Sequence, residues 1–315
     1  MLVHDLPWNR VLRGIAPQIL EFALISASAV AISEAMMHPE VFGIDASLPE
    51  RIRALMAWDG ESLPFGAVAA MGSSLAIFLG FRNSSAYNRW WEARKIWGAL
   101  VNDSRSWARQ CLAWVEDPAV ARELIHRHLA FVHGLAHHLR KDADVAESIQ
   151  RFVPDNEHAH YARVPNVPTA LLLRQGKRVA EAHEAGVIER FHHLWMDELL
   201  TRLSDVQGKC ERIKNTPLPR QYDAIPRVFV YVYGAMLPFG LAPTIGWMTI
   251  PVSLIITIMF LLLEISGRVL EDPFDGNPTD TPMTALSITI ERDLRAALAE
   301  PLPDPVVPDK DGVVM

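Results

Sequence analysis

The chain lacks most features of a soluble enzyme. Only two cysteines, Cys111 and Cys210, occur among 315 residues, too few for a disulfide framework. The sequence contains no glycine-rich phosphate loop, no nucleophile elbow and no paired-cysteine motif. It has no convincing alternating strand pattern and no solenoid repeat. The net charge of −7 disfavours nucleic acid as a partner, and the sequence implies no cofactor.

Charge is also missing from three long stretches. Ser62–Phe81 and Val228–Leu263 carry no charged residue, and Gly14–Ser33 carries only Glu21. About twenty uncharged residues can cross a bilayer as a helix. The composition therefore predicts an integral membrane protein, although Ser28 and Ala29 leave a cleaved signal peptide as an alternative for the first stretch.

The longest uncharged stretch is too long for one membrane helix. Its 36 residues would extend about 54 Å as a helix, against a hydrocarbon core of about 30 Å. Pro243, Gly246 and Pro251 mark where the chain should fold back. We therefore predict four transmembrane helices, the last two forming a tight hairpin.

Basic residues are concentrated on one side of these four predicted helices. The opposite side has only Arg51 and Arg53. By the positive-inside rule, both termini and the central region are cytoplasmic, in a multi-pass membrane protein. The residues that define the cytoplasmic side are Arg10, Arg13, Arg82, Arg89, Arg94, Lys95, Lys214, Arg220, Arg227 and Arg268.

The chain is predicted to be all-α, with a helical cytosolic region between the second and third membrane helices. Phe152–Pro168 should be a loop, and helices after Thr169 should break near Gly186. The predicted segments are 1–81 with the first two membrane helices, 82–227 as the cytosolic region, 228–268 as the hairpin, 269–298 as a second cytosolic segment and 299–315 as a disordered tail.

One stripe of the second membrane helix is a candidate pore lining. Ser73, Ile77 and Phe81 are spaced four residues apart, so they share one helical face. Rings of Ile77 and Phe81 around an axis would be narrow and apolar, and such rings can gate by losing water. Spacing alone favours lipid contact or packing between helices.

Histidines suggest a different chemistry. His133 and His137 are four residues apart on a predicted helix and could share a metal. No glutamate follows His133 as in a His-Glu-x-x-His site, and Arg127 and Arg140 make the helix basic. We therefore interpret it as a hydrated or interface helix without a metal.

An acidic turn follows the fourth predicted membrane helix. Asp272, Asp275 and Asp280 are potential calcium ligands, but their spacing does not match an EF-hand. The alternative is a turn that starts a helix over Pro282–Leu298, with Asp280 or Thr281 as its N-cap.

Four segments together resemble the bestrophin family, specifically its bacterial branch. Their order and separation match as well, and the resemblance covers nearly the whole chain. The segments are Phe78–Trp97, Cys210–Tyr222, Leu237–Leu241 and Leu270–Phe274.

The resemblance implies a homopentameric ion channel with a central pore, located in the bacterial inner (plasma) membrane. It places Ser73, Ile77 and Phe81 in a hydrophobic neck and Leu218 at a cytosolic constriction. Ser73 departs from the family pattern, where this position is usually larger and apolar, so the outer neck should be wider and wetter. The interrupted acidic cluster also departs from the calcium site of eukaryotic members.

The predicted function is therefore the passage of small monovalent ions. The resemblance implies chloride or other anions, while cation selectivity remains open because bacterial members can resemble cation channels. The edge of the Phe81 ring is positive and suits anions, whereas its face is negative and suits cations. The expected partners are identical subunits, permeating ions and membrane lipid. The alternatives are a membrane-embedded metalloenzyme that uses the histidine-rich helix, and a non-conducting membrane scaffold.

Overall fold

The computed structural model describes residues 8–43, 47 and 65–307, and they are predominantly helical. Within them no strand forms, and Val115 and Ile188 make an isolated antiparallel bridge. The prediction of an all-α protein is therefore confirmed. The α-helices are α1 Trp8–Met37, α2 Phe65–Trp114, α3 Pro118–Arg140, α4 Val145–Ile149, α5 Asp155–Tyr161, α6 Val167–Glu184, α7 Arg190–Asn215, α8 Arg220–Ile245, α9 Thr249–Glu271 and α10 Met283–Ala297.

The described chain divides into two compact units. The apolar unit contains residues 8–87 and Leu218–Val269, and the charged unit contains Asn88–Pro217 and residues 270–307. Among the described residues, short 3₁₀ helices follow α1 at Pro39–Phe42, α4 at Gln150–Phe152 and α8 at Gly246–Met248.

The apolar unit contains the segments suited to a membrane. Among the described residues, Arg13–Met37 and Ala224–Glu271 are long and apolar enough to cross one. The second stretch is interrupted where predicted, because α8 ends at Ile245 and Gly246 has a positive φ of 52°. Residues 62–64 of the remaining predicted span lie outside the described residues, so the number of four spans stays a prediction.

Glycines let the helices of the apolar unit approach closely. A Cβ atom on Gly234 of α8 would lie 2.7 Å from Phe22 of α1 and 2.8 Å from Thr257 of α9. A Cβ atom on Gly72 of α2 would lie 2.6 Å from the Tyr233 hydroxyl. Small residues thus allow α8 to contact three neighbours, the mode of packing that membrane helices favour.

The histidine-rich helix α3 lies in the core of the charged unit, and our interpretation of it as a hydrated or interface helix is wrong. Most of its residues are buried against α6, α7 and α10. Arg127 is 1% exposed and bonds Glu123 and Glu157. The polar side chains of α3 can be buried because they form hydrogen bonds and ion pairs with other residues of the unit.

Two local predictions also need correction. The predicted loop Phe152–Pro168 contains helix α5, and helix α10 begins after Pro282 without a side-chain cap. Asp280 instead accepts a hydrogen bond from the backbone N–H of Asn277, so it closes a turn rather than capping the helix. The predicted break near Gly186 is present, since that residue has a φ of 77°.

The buried His128 predicts a pH dependence of stability. Its Nε2 lies 2.9 Å from the Ser104 hydroxyl, and burial lowers its pKa from 6.5 to about 3. An unfolded chain takes up the proton near 6.5, so stability is fully present above that pH. Below pH 6.5 the free energy of unfolding decreases by about 1.4 kcal/mol for each pH unit, down to about pH 3.

Thermal unfolding of the detergent-solubilised protein between about pH 7.5 and 5 measures this dependence. We expect His128→Gln to flatten the slope and exposed-site His160→Gln to preserve it. Equal slopes in wild type and His128→Gln would contradict the assignment.

Candidate pore-lining site

Helix α2 presents two different faces within the apolar unit. Leu75 and Leu79 are 3% and 1% exposed, so one face packs inside the unit. Ile77 and Phe81 are 60% and 68% exposed, and Ser73 is exposed as well. The structure therefore brings the three predicted neck residues onto one outward face, as their spacing predicted, and the role of that face in lining a pore stays a prediction.

Ser73 offers limited polarity to this face. Its hydroxyl donates to the carbonyl of Ala69 one turn earlier, at 2.9 Å. A serine in a membrane helix commonly satisfies its hydroxyl in this way. The oxygen retains acceptor capacity. A row running from Ser73 to Phe81 is consequently polar at one end and apolar at the other.

A buried arginine fixes the rotation of α2 directly after Phe81. Arg82 is fully buried, and its Nη1 donates to the backbone carbonyl of Glu264 at 3.0 Å. Asn83 donates to the carbonyl of Leu263 at 2.9 Å. Both contacts hold α2 against α9. Because Arg82 points inward, the helical phase turns Phe81 outward.

The carboxylate of Glu264 collects three arginines from three helices. Arg82, Arg227 and Arg268 lie within 3.6 Å, 3.8 Å and 2.5 Å of its oxygens, respectively. Glu264 is 2% exposed, so removing this acid would leave basic groups without a nearby countercharge. Sequence analysis did not identify this cluster, although Glu264 directly follows the longest uncharged stretch.

Leu218 lies in an irregular segment between two prolines. It is partly exposed, and Pro219 occupies the N-cap position of α8 with a φ of −52°. One turn into α8, Tyr222 stacks on Phe78 of α2 with ring centroids 6.2 Å apart. The start of α8 is thus packed against the helix that carries the neck residues, while a constricting role for Leu218 stays a prediction.

Arg89 stabilises the end of α7 within the charged unit. It donates to the carbonyls of Ile213 and Thr216, both at 2.5 Å, and to that of Glu271 at 2.9 Å. The last carbonyls of a helix lack partners within the helix, and a cation there is favourable. Arg89 therefore joins α7 to the end of α9. In the sequence, Arg89 is one of the basic residues on the predicted cytoplasmic side and part of the Phe78–Trp97 segment, and neither feature indicates these contacts.

The three aspartates of the acidic turn do not point to a common ion. Asp275 pairs with Lys214, and Asp280 bonds the Asn277 backbone. Burial raises the pKa of Asp280 to about 6, so this carboxyl holds a negative charge less readily than a solvated aspartate does. Among the residues that the structure describes, no group of three potential ligands could hold a metal.

The two candidate metal-binding histidines bond separate carboxylates. His133 lies 2.9 Å from Glu291, and His137 lies 2.7 Å from Asp142. Burial alone would raise the pKa of Glu291. The hydrogen bond from His133 and the charges of Arg151 and Arg295 outweigh it and hold that pKa below its ordinary value. These contacts explain the two histidines as hydrogen-bonding partners of separate carboxylates in the charged unit.

A helical fold throughout the described residues, with two apolar stretches long enough to cross a membrane, is typical of a helical membrane protein. A family model described as Bacterial/Fungal Bestrophin protein matches residues 6–296. The chain belongs to this family of helical membrane channels, as its sequence motifs indicated. It is accordingly not an enzyme.

Relatives and solved structures agree with this assignment. The voltage-dependent anion channel-forming protein mll4386 of Mesorhizobium japonicum is 35% identical, covering 84% of this chain and 86% of its own length. The Escherichia coli O157:H7 protein YneE, with the same description, is 34% identical over 80% and 83%. A bacterial bestrophin homologue from Klebsiella pneumoniae matches with a TM-score of 0.78 and 30% identity, covering 91% of this chain and 99% of its own.

Truncating Ile77 and Phe81 distinguishes a gate from a packing surface, because the two roles predict different results. If Ile77 and Phe81 line a pore, Ile77→Ala with Phe81→Ala removes apolar surface from a narrow passage, and ion flux should increase. The melting temperature should stay close to that of the wild type. Liposome flux and thermal melting on one preparation measure both quantities.

Leu79→Ala is the matched control for this experiment. Its side chain is 1% exposed on the same helix, so truncation should cost about 2–5 kcal/mol without a gain in flux. If the double variant instead behaved like Leu79→Ala, the neck assignment would fail.

Proposed function

We propose that the chain is the pore-forming subunit of a homopentameric channel that passes small anions, chloride among them, across the bacterial inner membrane. The observation that carries this proposal is the outward row of Ser73, Ile77 and Phe81 on a helix whose other face is buried. The relatives' description as voltage-dependent anion channel-forming proteins supports the choice of ion.

A ring of subunits is the simplest way to turn this row into a pathway. A few membrane helices from one chain hardly enclose a wide aqueous path, whereas a symmetric ring needs only one helix from each subunit. Helix α2 meets this requirement because its other face is already held by Arg82 and Asn83. Five copies of the outward face would form stacked rings around one axis.

The stacked rings would control the passage of ions by forcing each ion to shed part of its water. An ion that passes Ile77 and Phe81 would lose water and gain no polar ligand, so a narrow apolar neck resists conduction until it is wet. Ser73 would leave the outer end wider and more polar. The positive edges of the Phe81 rings, turned toward the axis, would suit anions.

The orientation in the membrane follows from the basic residues. We infer that both termini are cytoplasmic, with residues 82–227 and 269–298 forming the cytosolic region, because arginines and lysines flank the apolar stretches on that side. Leu218 precedes the third predicted membrane helix by ten residues, so this orientation puts it on the cytoplasmic side.

Flux through purified protein in liposomes tests the function. With asymmetric potassium chloride, an anion-selective channel gives a reversal potential near the chloride equilibrium potential. A value near the potassium equilibrium potential would overturn the choice of ion but keep the channel. No flux from correctly folded protein would favour the scaffold alternative. Native mass measurement should give five subunits.

Leu218 provides a second test of the pathway. Because Pro217 and Pro219 restrict the backbone on either side, the segment is stiff enough to hold a side chain across an axis. Leu218→Ala should raise single-channel conductance or alter ion preference without lowering the melting temperature. Leu112→Ala, at an exposed position on α2, should change neither. An unchanged current in folded Leu218→Ala would show that this side chain does not constrict the path.

A further inference from the structure

One carboxylate just after α10 is surrounded by basic side chains of the charged unit. The two carboxylate oxygens of Glu300 lie 2.9 Å and 3.0 Å from Nε2 of His126. Arg122 and Arg295 lie 3.4 Å and 3.5 Å from the same carboxylate. Arg122 and His126 are four residues apart and share one face of α3, whereas Arg295 is on α10. Both guanidinium groups can only donate hydrogen bonds, so a group with several acceptor oxygens fits between them.

A buried glutamate orients Arg295 toward this position. Nε of Arg295 donates to Glu291 at 2.9 Å, and Nη1 is the atom that faces Glu300. Glu291 is 1% exposed, and it also accepts from Arg151 and lies 2.9 Å from His133. One end of the Arg295 guanidinium is therefore fixed by an internal carboxylate, and the other end is left for a second anion. Arginine suits this arrangement because its planar group binds carboxylate and phosphate alike.

Basic groups outnumber acidic groups in this cluster. Three arginines, Arg122, Arg151 and Arg295, pair with the two carboxylates of Glu291 and Glu300. Without Glu300, the same three arginines would face one carboxylate, and such an excess of positive charge attracts anions. The Arg122 side chain is 60% exposed, so the cluster is open to solvent on that side. The cluster therefore has the composition of an anion site whose occupant belongs to the chain itself.

A turn at the end of α10 brings Glu300 to the cluster. Ala299 has a φ of 55°, and the backbone N–H of Glu300 donates to the carbonyl of Arg295 at 2.9 Å. Together with a 3.1 Å hydrogen bond from Ala299 to Ala296, this is a Schellman motif, in which glycine usually occupies the position of Ala299. Alanine is less favourable there because its Cβ crowds the backbone. The partners of Glu300 thus stabilise a position that the backbone of Ala299 opposes.

The chain beyond Glu300 makes few demands on the rest of the unit. Pro301–Val307 forms neither helix nor strand, and we name it the strap. Three of its seven residues are prolines, which have no backbone N–H to donate. Its contacts with α10 include a hydrogen bond from Arg292 to the carbonyl of Pro303, and Val307 at its end is 76% exposed. Glu300 is therefore the charged anchor of a lightly held segment.

We propose that Arg122, His126 and Arg295 form an oxyanion site that Glu300 occupies, and that a free oxyanion such as phosphate displaces Glu300 and releases the strap. Phosphate offers more charged oxygens to these donors than a carboxylate does. It competes with a tethered group of high effective concentration, so the wild-type site should bind it weakly. Removing Glu300 should then create binding capacity, whereas a purely structural ion pair predicts no such gain.

Phosphate binding to the purified protein in nanodiscs of neutral lipid tests the site. Calorimetric titration at constant ionic strength compares the wild type with Glu300→Ala, whose site is vacant. If the carboxylate occupies the site about nine-tenths of the time, Glu300→Ala should bind phosphate about tenfold more tightly. Combining Arg122→Gln with Glu300→Ala should abolish this gain. Asp304→Ala removes an exposed acid of the strap and should bind phosphate as the wild type does.

The mobility of a spin label on Val307→Cys tests the displacement. The native Cys111 and Cys210 are buried, so labelling is confined to the strap. Phosphate should make the label mobile in the wild-type background, whereas chloride at equal ionic strength should not. In Glu300→Ala the label should be mobile without phosphate. The same label on Leu112→Cys, an exposed position of α2, should respond to neither anion.

Three results would overturn the proposal. Folded Glu300→Ala that binds phosphate no more tightly than the wild type would show that no oxyanion site lies beneath the carboxylate. Equal responses to chloride and phosphate would reduce the Glu300 contacts to a screened ion pair. Phosphate binding without a change in label mobility would place the ion elsewhere. Thermal melting of each variant verifies that it is folded.

Nanodiscs that contain phosphatidylglycerol distinguish two sources of the oxyanion. A mobile label in these discs without added phosphate would support the site and assign its ligand to a lipid headgroup. A response to soluble phosphate alone would support the site and assign its ligand to a solute. Neither measurement requires ion conduction, so a failure of the oxyanion site is distinguishable from a failure of the proposed channel function.

Discussion

The candidate pore depends on the contact between Arg82 and Glu264. A fully buried arginine that follows Phe81 in sequence must point into the protein, where the carboxylate and backbone carbonyl of Glu264 receive it. That requirement sets the rotation of α2 about its axis. Helical periodicity then buries Leu79 in the apolar unit and leaves Ile77 on its outer surface.

Close helix approach makes this contact feasible in the apolar unit. A side chain on Gly267 would clash with the Asn83 amide oxygen, because an added Cβ atom would lie well inside van der Waals contact distance of that oxygen. The glycine allows the Asn83 amide to reach the carbonyl of Leu263 beside it. Gly72 and Gly234 allow similar approaches around α8. Without these small residues, the buried arginine would be held farther from its acceptors, and an unsatisfied buried charge is costly.

In the charged unit, many polar side chains are buried among apolar ones in the core. Its central helix α3 carries histidines and arginines into a core, where His128 bonds Ser104 and Arg127 bonds two glutamates. Both side chains exchange hydrogen bonds to water for hydrogen bonds to protein groups, so their net contribution to stability is small. Most of the stabilisation comes from the surrounding apolar side chains, such as Trp107 and Leu124. Phe191, Leu194 and Trp195 on α7 are the contrasting case, since they stay 68%, 59% and 58% exposed in the described charged unit.

Several properties could be predicted from the sequence because they depend on local composition. Uncharged stretches predicted the apolar helices, Gly246 marked the interruption between α8 and α9, and the spacing of Ser73, Ile77 and Phe81 predicted their common face. The motif around Arg82 indicated the family. These features depend on residues close together in the chain, where helical periodicity and backbone preferences act directly.

Only the tertiary structure decided which polar residues are buried and with what partners. Glu264 gathers arginines from α2, α8 and α9, and His133 meets Glu291, a residue 158 positions away. A histidine at helical spacing looks the same in sequence whether it binds metal, faces water or pairs with a distant acid. The choice depends on which side chains folding brings within hydrogen-bonding distance, and long-range packing rather than local pattern determines that.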